Sequence, residues 1–242
     1  MCLRTGKKEE SVCPGPGPFI KDNVEISVKK QLNYIVGNGR VKTVKPWLGD
    51  LFAFAYDFLM EKVVFPRKLG SDMGEHLRIL DHQVQLISGK RVLELATGSG
   101  SSVNFLGKDS HYTGTDISPG LLKMAVKRFR ESEFRDAEFY VTGADDLPFE
   151  DSVFEGCLCI LALNFFNNLE VVVSEVKRVL ERGGVFICCV PVPERINNGS
   201  KIRGTLYSEN ELKNIFISDD FSFESIPDKN GSILYFKAVV DK

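Results

Sequence analysis

The sequence predicts an α/β fold: a doubly wound, mostly parallel seven-stranded sheet whose last strand runs antiparallel, with a helical N-terminal lid. Three observations predict it. Strand-like and helix-like segments alternate from Arg91 onward, and βα alternation closes into a parallel sheet. Residues 154–163 and 185–190 are nearly unbroken apolar runs, as expected of strands covered on both faces. Residues 221–226 and 233–240 flank Lys229-Asn230-Gly231-Ser232, and Asn-Gly between two strands signals a tight hairpin, so the final strand turns back against the rest.

Residues 1–46 read as an irregular extension, because Cys13-Pro14-Gly15-Pro16-Gly17-Pro18 suits neither helix nor ladder and Gly37-Asn38-Gly39-Arg40 reads as a turn between short extended pieces. One domain is expected over 47–242. Leu51, Phe52, Ala55, Phe58, Leu59 and Val63 recur at helical spacing, which predicts a helix over 47–65, and a second is expected over 72–86. Strand 91–95, helix 101–106, strand 112–115, helix 119–130 and strand 138–141 follow. After the strand in 154–163 comes an amphipathic helix over 169–180, stopped at Glu181-Arg182-Gly183-Gly184. Beyond strand 185–190, Pro191, Pro193 and Asn197-Asn198-Gly199 mark a long connection.

With 242 residues and 43% apolar content the chain can bury one good core. Its formal charge of −2 provides no strong field for nucleic acid or an anionic membrane, which leaves small-molecule chemistry. No apolar run approaches the roughly 18–20 residues of a membrane span, and Met1-Cys2-Leu3-Arg4-Thr5-Gly6-Lys7-Lys8 lacks a signal-type hydrophobic region, so a soluble, cytoplasmic protein is expected. Cys157 and Cys159 fall on one strand face and Cys188 and Cys189 on opposite faces, which suits buried, inert thiols. None of these spacings is a zinc knuckle, and His76, His82 and His111 are scattered, so no metal is expected.

The richest stretch is Arg91-Val92-Leu93-Glu94-Leu95-Ala96-Thr97-Gly98-Ser99-Gly100, an apolar strand entering a small-residue turn that lets a ligand approach the backbone. Tyr112-Thr113-Gly114-Thr115-Asp116-Ile117 is a second strand ending in a carboxylate, suited to ribose hydroxyls because two acceptor oxygens can receive both protons. Asp116 also precedes Ser118-Pro119 at a helix start, so a capping role stands beside the ligand role.

On these motifs, together with Thr142-Gly143-Ala144-Asp145-Asp146-Leu147-Pro148-Phe149, the chain resembles the class I S-adenosylmethionine-dependent methyltransferases, in particular those acting on small molecules. The resemblance implies S-adenosylmethionine as cofactor and a Rossmann-like methyltransferase fold. It implies that Glu94 lies near the methionine amino group of the cofactor and that Ala96, Thr97, Gly98, Ser99 and Gly100 form the turn around its amino-acid part. Asp116 would take the ribose, Ile117 one adenine face, Ala144 and Asp145 the adenine edge, and Ile160 the end of the strand facing the sulfonium. Ala96 departs from the pattern, since the family most often has glycine there.

For the methyl acceptor, a small molecule, the candidates are Tyr56 on the lid, Asn164 after the fourth strand, and Glu194 or Arg195 after the fifth. Each has a structural alternative: an aromatic core stripe for Tyr56, a helix cap near Asn167 or Asn168 for the segment of Asn164, and a solvated loop for the charged pair. No general base is identified. Two rival functions remain: a noncatalytic relative keeping the fold as a binding or scaffold module, and an NAD-dependent oxidoreductase, against which Val103 stands where the dinucleotide fingerprint requires its third glycine.

Overall fold

The computed structural model describes residues 19–37, 40–41, 60–134, 136–196 and 201–241. Its strands are β1 (Glu25–Lys29), β2 (Leu32–Gly37), β3 (Arg40–Val41), β4 (Arg91–Leu95), β5 (His111–Asp116), β6 (Ala137–Val141), β7 (Phe154–Ile160), β8 (Leu180–Pro191), β9 (Phe221–Ile226) and β10 (Ile233–Val240). They form one sheet in the order β1-β2-β6-β5-β4-β7-β8-β10-β9, with β3 paired to β2. Strands β4 to β8 run parallel to their neighbours in that set, and β10 runs antiparallel to both β8 and β9. Chain order reverses about β4, which has β5 on one side and β7 on the other. In such sheets ligands settle outside the carboxyl ends of the strands at that reversal.

Helices α1 (Met73–Val84) and α2 (Pro119–Glu131) cover one face, where Leu80 and Phe129 pack with Val92, Leu158 and Ile187. Helices α3 (Leu169–Val179) and α4 (Glu209–Ser218) cover the other, where Val176 and Phe216 pack with Leu93, Cys157 and Phe186. Alternation along β7 and β8 places Cys157, Cys159 and Cys188 on the α3 side and Cys189 on the α1 side, all buried and free. No helix among the described residues is long and apolar enough to cross a membrane.

Several expectations are corrected. The seven expected strands are present as β4 to β10, and among the described residues three more join them, because residues 25–37 of the supposedly irregular extension form a hairpin whose β2 pairs with both β6 and β3. The connecting residues Lys30 and Gln31 are both left-handed, at φ 52° and 62°, so this is a primed two-residue turn lacking the usual Asn or Gly. Residues 19–21 are tied to the chain near Phe149 as well, through Lys21 N–H to Pro148 O and Glu150 N–H to Phe19 O. The helix expected over 101–106 is a single 3-10 turn, Ser101–Asn104, because the segment between Gly100 and Gly107 is too short for two turns and Ser102 spends its hydroxyl on Glu94. Glu181-Arg182-Gly183-Gly184 lies inside β8, with the register slipping between Phe154 and Gly156 and Gly183 at φ 75°. Helix α4, unforeseen, opens on a capping box between Ser208 and Glu211. The expected lid helix lies outside the described residues up to residue 59, Tyr56 included. Its described end is a π-helix, Met60–Leu69, with Pro66 inside it.

The turn after β4 has backbone requirements of its own. Ala96 is left-handed at φ 50°, and Gly100 follows at φ 80°. A side chain on Gly100 would meet Cα and Cβ of Ala125 at 2.8 Å, so glycine is what lets α2 pass this close. Substitution should therefore act with opposite signs at two positions four residues apart. Ala96→Gly relieves a left-handed alanine and should raise unfolding stability in urea by up to about 1 kcal/mol. Gly100→Ala adds strain and overlap and should lower it by about 2 kcal/mol or more. A less stable Ala96→Gly variant would show that the turn's strain is compensated elsewhere.

Candidate active site

At the reversal about β4 lies a cleft of about 560 Å³, within the roughly 300–1,000 Å³ usual for small-molecule pockets. Its floor is the turn after β4, with Glu94, Ala96, Thr97, Gly98 and Ser99, and Ile160 and Leu161 from the end of β7 close one side. Met60 and Phe65 of the π-helix and Met73, His76 and Leu77 of α1 form the opposite wall. Two non-glycine residues with left-handed backbones, Ala96 and Leu161 at φ 50° and 54°, both line this one cleft. Strain of that kind gathers where a site dictates backbone shape.

Glu94 is 3% exposed, at the end of the central strand. Ser102 Oγ donates to its Oε2 at 2.6 Å and the Tyr112 hydroxyl donates to the same oxygen. Oε1 has no hydrogen-bond partner among the described residues. Burial pushes the Glu94 carboxyl up to about 7, against the pull of the Ser102 and Tyr112 hydrogen bonds, and the Asp116 charge raises it further. A carboxyl raised above its unfolded value of 4.5 holds its proton in the folded chain where the unfolded chain loses it. Folding is therefore favoured below that value and loses about 3 kcal/mol as pH rises to about 7. A cation beside Oε1 would reverse this.

Asp116, 8% exposed, braces the turn: its Oδ2 accepts the Gly98 N–H and its Oδ1 the Ser118 N–H, each at 2.8 Å. The cap of α2 is Ser118, which accepts from Leu121 N–H. Asp116 is thus joined to the cleft through Gly98, while it, Ile117, Ala144, Asp145 and Gly100 are not among the cleft's lining residues. Ile117 and Asp145 are exposed beyond its rim, and Ala144 is buried in the core on the α3 side.

The acceptor-side candidates do not gather here. Asn164 is turned to the segment after residue 200, its Nδ2 donating to Arg203 O at 2.6 Å and its backbone O accepting from Thr205 N–H. Glu194 accepts the N–H of Glu209 at the start of α4, and Arg195 pairs with Asp228 at 2.9 Å and donates to Ile233 O. These three residues hold the connection after β8 in place, and none lines the cleft. Among the lining residues that the sequence did not single out are Phe65, His76, Arg128 and Leu161. Arg128 Nη1 donates to Ser99 Oγ at 3.3 Å, so a cation stands by the turn. A histidine within the apolar stripe of the helix before β4 was the one signal available.

The oxidoreductase reading fails on local structure. Dinucleotide pyrophosphate sits at a helix N-terminus directly after the glycine turn, and here one 3-10 turn follows Gly100.

Residues 93–188 match the family described as Methyltransferase domain. The demethylmenaquinone methyltransferase of Thermotoga maritima is 30% identical over 173 residues, 70% of this chain and 70% of its own. The fatty-acid O-methyltransferase of Mycolicibacterium smegmatis is 32% identical over 104 residues, 42% of this chain. The chain spans 36–39% of the length of the mycobacterial relatives it matches. The crystal structure of the YcgJ protein of Bacillus subtilis superposes with a TM-score of 0.60 at 15% identity, over 70% of this chain and 99% of that one, which shows the shared fold. With the Thermotoga maritima relative 30% identical over 70% of both chains and the family match over 93–188, the chain belongs to the class I S-adenosylmethionine-dependent methyltransferases.

Proposed function

We propose that this chain transfers a methyl group from S-adenosylmethionine to a small, largely apolar acceptor by in-line displacement. The observation that carries the proposal is Glu94: a buried carboxyl with one oxygen saturated by two hydroxyls and the other without a partner among the described residues, on a cleft of cofactor size. The cleft fits the cofactor in a second respect. A side chain built on Gly98 would meet only Ala96 O at 3.9 Å, so the backbone there faces open space into which a ligand can press.

Glu94 Oε1 is suited to the ammonium of the cofactor's methionine part, with Thr97, Gly98 and Ser99 around its amino-acid chain. Asp116 is suited to the ribose, since a carboxylate is an acceptor with two oxygens that can receive paired hydroxyl protons, and its Oδ2 already braces Gly98 of the turn. Ile117, Ala144 and Asp145 would then surround the adenine beyond the rim. When bound, the cofactor supplies a methyl group on a sulfonium whose leaving group, a neutral thioether, needs no acid. The chain's own contribution is alignment beside an apolar wall, with Met60, Phe65, Met73 and Leu77 lining the cleft opposite the turn and Glu61 among them. Holding two reactants in line is worth up to about 7–11 kcal/mol. An apolar wall suits an apolar acceptor, and the relatives named for a fatty acid and for demethylmenaquinone support that class.

The Glu94 assignment couples cofactor binding to a proton. Since a bound ammonium favours the ionised carboxylate, S-adenosylmethionine should bind about tenfold tighter at pH 8 than at pH 6, read by calorimetric titration in buffers of different ionisation enthalpy. Glu94→Gln should bind more weakly and lose that pH dependence, whereas a pH-independent affinity in the unaltered chain would remove Glu94 from the ammonium. Asp116→Ala should cost S-adenosylhomocysteine about 1.5–3 kcal/mol of affinity, the range for a hydrogen bond to a charged group. Unchanged affinity there would place the ribose elsewhere.

A further inference from the structure

The Asn230-Gly231 pair does not make the tight hairpin its sequence suggests. Strands β9 and β10 first pair at Ile226 and Tyr235, and the intervening loop is bolted to the segment leading into α1. Ser232 N–H and Oγ both donate to Leu69 O, and a side chain on Gly231 would meet Leu69 O at 2.4 Å. Asn230 reads the backbone of Asp72 from both sides, its Oδ1 accepting the Asp72 N–H at 2.6 Å and its Nδ2 donating to Asp72 O at 3.0 Å.

Those contacts fix a chain of protons that ends on the cleft. A backbone N–H can only donate, so the Asn230 amide is oriented with Oδ1 toward Asp72 and Nδ2 as its donor end. Nδ2 gives its second hydrogen to the Tyr235 hydroxyl oxygen at 3.0 Å. The hydroxyl's own proton then goes to its other neighbour, His76 Nδ1, at 2.9 Å. The reverse arrangement would put two donors on the hydroxyl oxygen and leave its proton without an acceptor among the described residues, a costly state for a buried group. Nδ1 of His76 is therefore an acceptor, and the neutral ring carries its proton on Nε2.

His76 is 4% exposed, lines the cleft, and has no partner for Nε2 among the described residues. Around it are Phe65, whose ring centroid is 4.8 Å away, and the cleft-lining Met73 and Leu77. Burial pushes the imidazole down to about 4, so it stays neutral at ordinary pH, and a neutral ring protonated at Nε2 cannot take a proton there. What it can do is donate.

We propose that His76 Nε2–H is a hydrogen-bond donor to the methyl acceptor, holding an oxygen that carries negative charge at the reacting end of an apolar molecule, either a carboxylate or an aromatic hydroxyl that has lost its proton. This rests on the methyltransferase reading and names the acceptor's chemistry within it. The donor positions the nucleophile without removing its proton, so an acceptor that is already ionised, or nearly so, is the kind the site takes. Asn230 and Tyr235 act through His76 by fixing its tautomer.

The test uses the full chain saturated with S-adenosylhomocysteine, with decanoate and 1-naphthol as probes. Failure of S-adenosylhomocysteine to bind would overturn the methyltransferase reading itself and is scored first. Long-range nitrogen-15 NMR of labelled histidine should show His76 protonated at Nε2, and a bound probe should shift that nitrogen. His76→Gln places an amide donor near the Nε2 position but gives up the Tyr235 contact, while His76→Asn reaches no further than Nδ1 and keeps only that contact. Probe affinity should thus fall at least tenfold in His76→Asn and less than threefold in His76→Gln. A purely structural histidine would give the opposite order. Binding of decanoate alone marks a carboxylate acceptor and of 1-naphthol alone an aromatic one, and either supports the proposal. An Nδ1-protonated ring, equal losses in both variants, or no binding of either probe at millimolar concentration would overturn it.

Discussion

Glu94 stands at the end of the central strand, 3% exposed and still ionisable, and the shape of the site follows from the cost of keeping it there. An isolated charge in such surroundings is expensive, and the chain offsets that cost only in part, with Ser102 and Tyr112 both committed to one oxygen. Those commitments reach outward. Ser102 gives its hydroxyl to the carboxylate instead of to a helix start, which goes with the collapse of the following helix to one turn. Tyr112 is held against Phe129 and Phe134, so the same contact ties β5 to α2. The second oxygen is left for something with positive charge, and the folded chain is less stable near neutral pH for want of it.

The backbone around that carboxylate is under a related constraint. Ala96 and Leu161, which both line the cleft, hold a backbone conformation that suits glycine, and neither is one. A core assembled for stability alone has no use for this arrangement. The strain is held by neighbours on all sides: Thr97 N–H on Thr115 O, Gly98 N–H on Asp116, and Leu161 N–H on Cys189 O. Preorganisation of this kind means that the turn does not have to be bent at the moment of binding.

The sequence carried the central sheet almost residue by residue, since strand 91–95 and helix 169–180 are long, periodic and flanked by clear punctuation, and tertiary packing agrees with local preference in both. The edge was legible in one place, Gly37 to Arg40, where β2 and β3 pair antiparallel as a turn between short extended pieces requires, but Lys30-Gln31 makes a primed turn without the residues that normally announce one, so the β1–β2 hairpin left no mark. Asn230-Gly231 failed in the opposite direction, a strong turn signal used to grip Asp72 and Leu69 instead. Half of the cleft was legible because Glu94 through Ser99 are contiguous. The other half is assembled from Phe65, His76, Arg128 and Leu161, which lie far apart along the chain, and spacing says nothing about residues that meet only once the sheet has closed. Asn164, Glu194 and Arg195 were placed on the right edge of the sheet, but Asn164 Nδ2, Glu194 and Arg195 are engaged by Arg203, Glu209 and Asp228, and Asn164 Oδ1 is buried with no hydrogen-bond partner among the described residues.

The reversed last strand has a consequence for the site. In a parallel sheet only carboxyl ends reach the ligand edge, and the amino ends of the strands, with the loops that precede them, lie at the far side. Because β10 runs against β8, with Ile233 opposite Pro191, its amino end comes to the ligand edge and brings the loop 227–232 along. Tyr235 then points to the α1 face, two residues beyond Ile233, at the height where α1 presents His76. A parallel strand at this position would carry that tyrosine to the opposite edge. The antiparallel insertion therefore does more than end the sheet: it supplies a rigid backing, two hydrogen bonds deep, for a side chain on a helix that precedes it by some 150 residues, at separations of 158 and 159 along the chain.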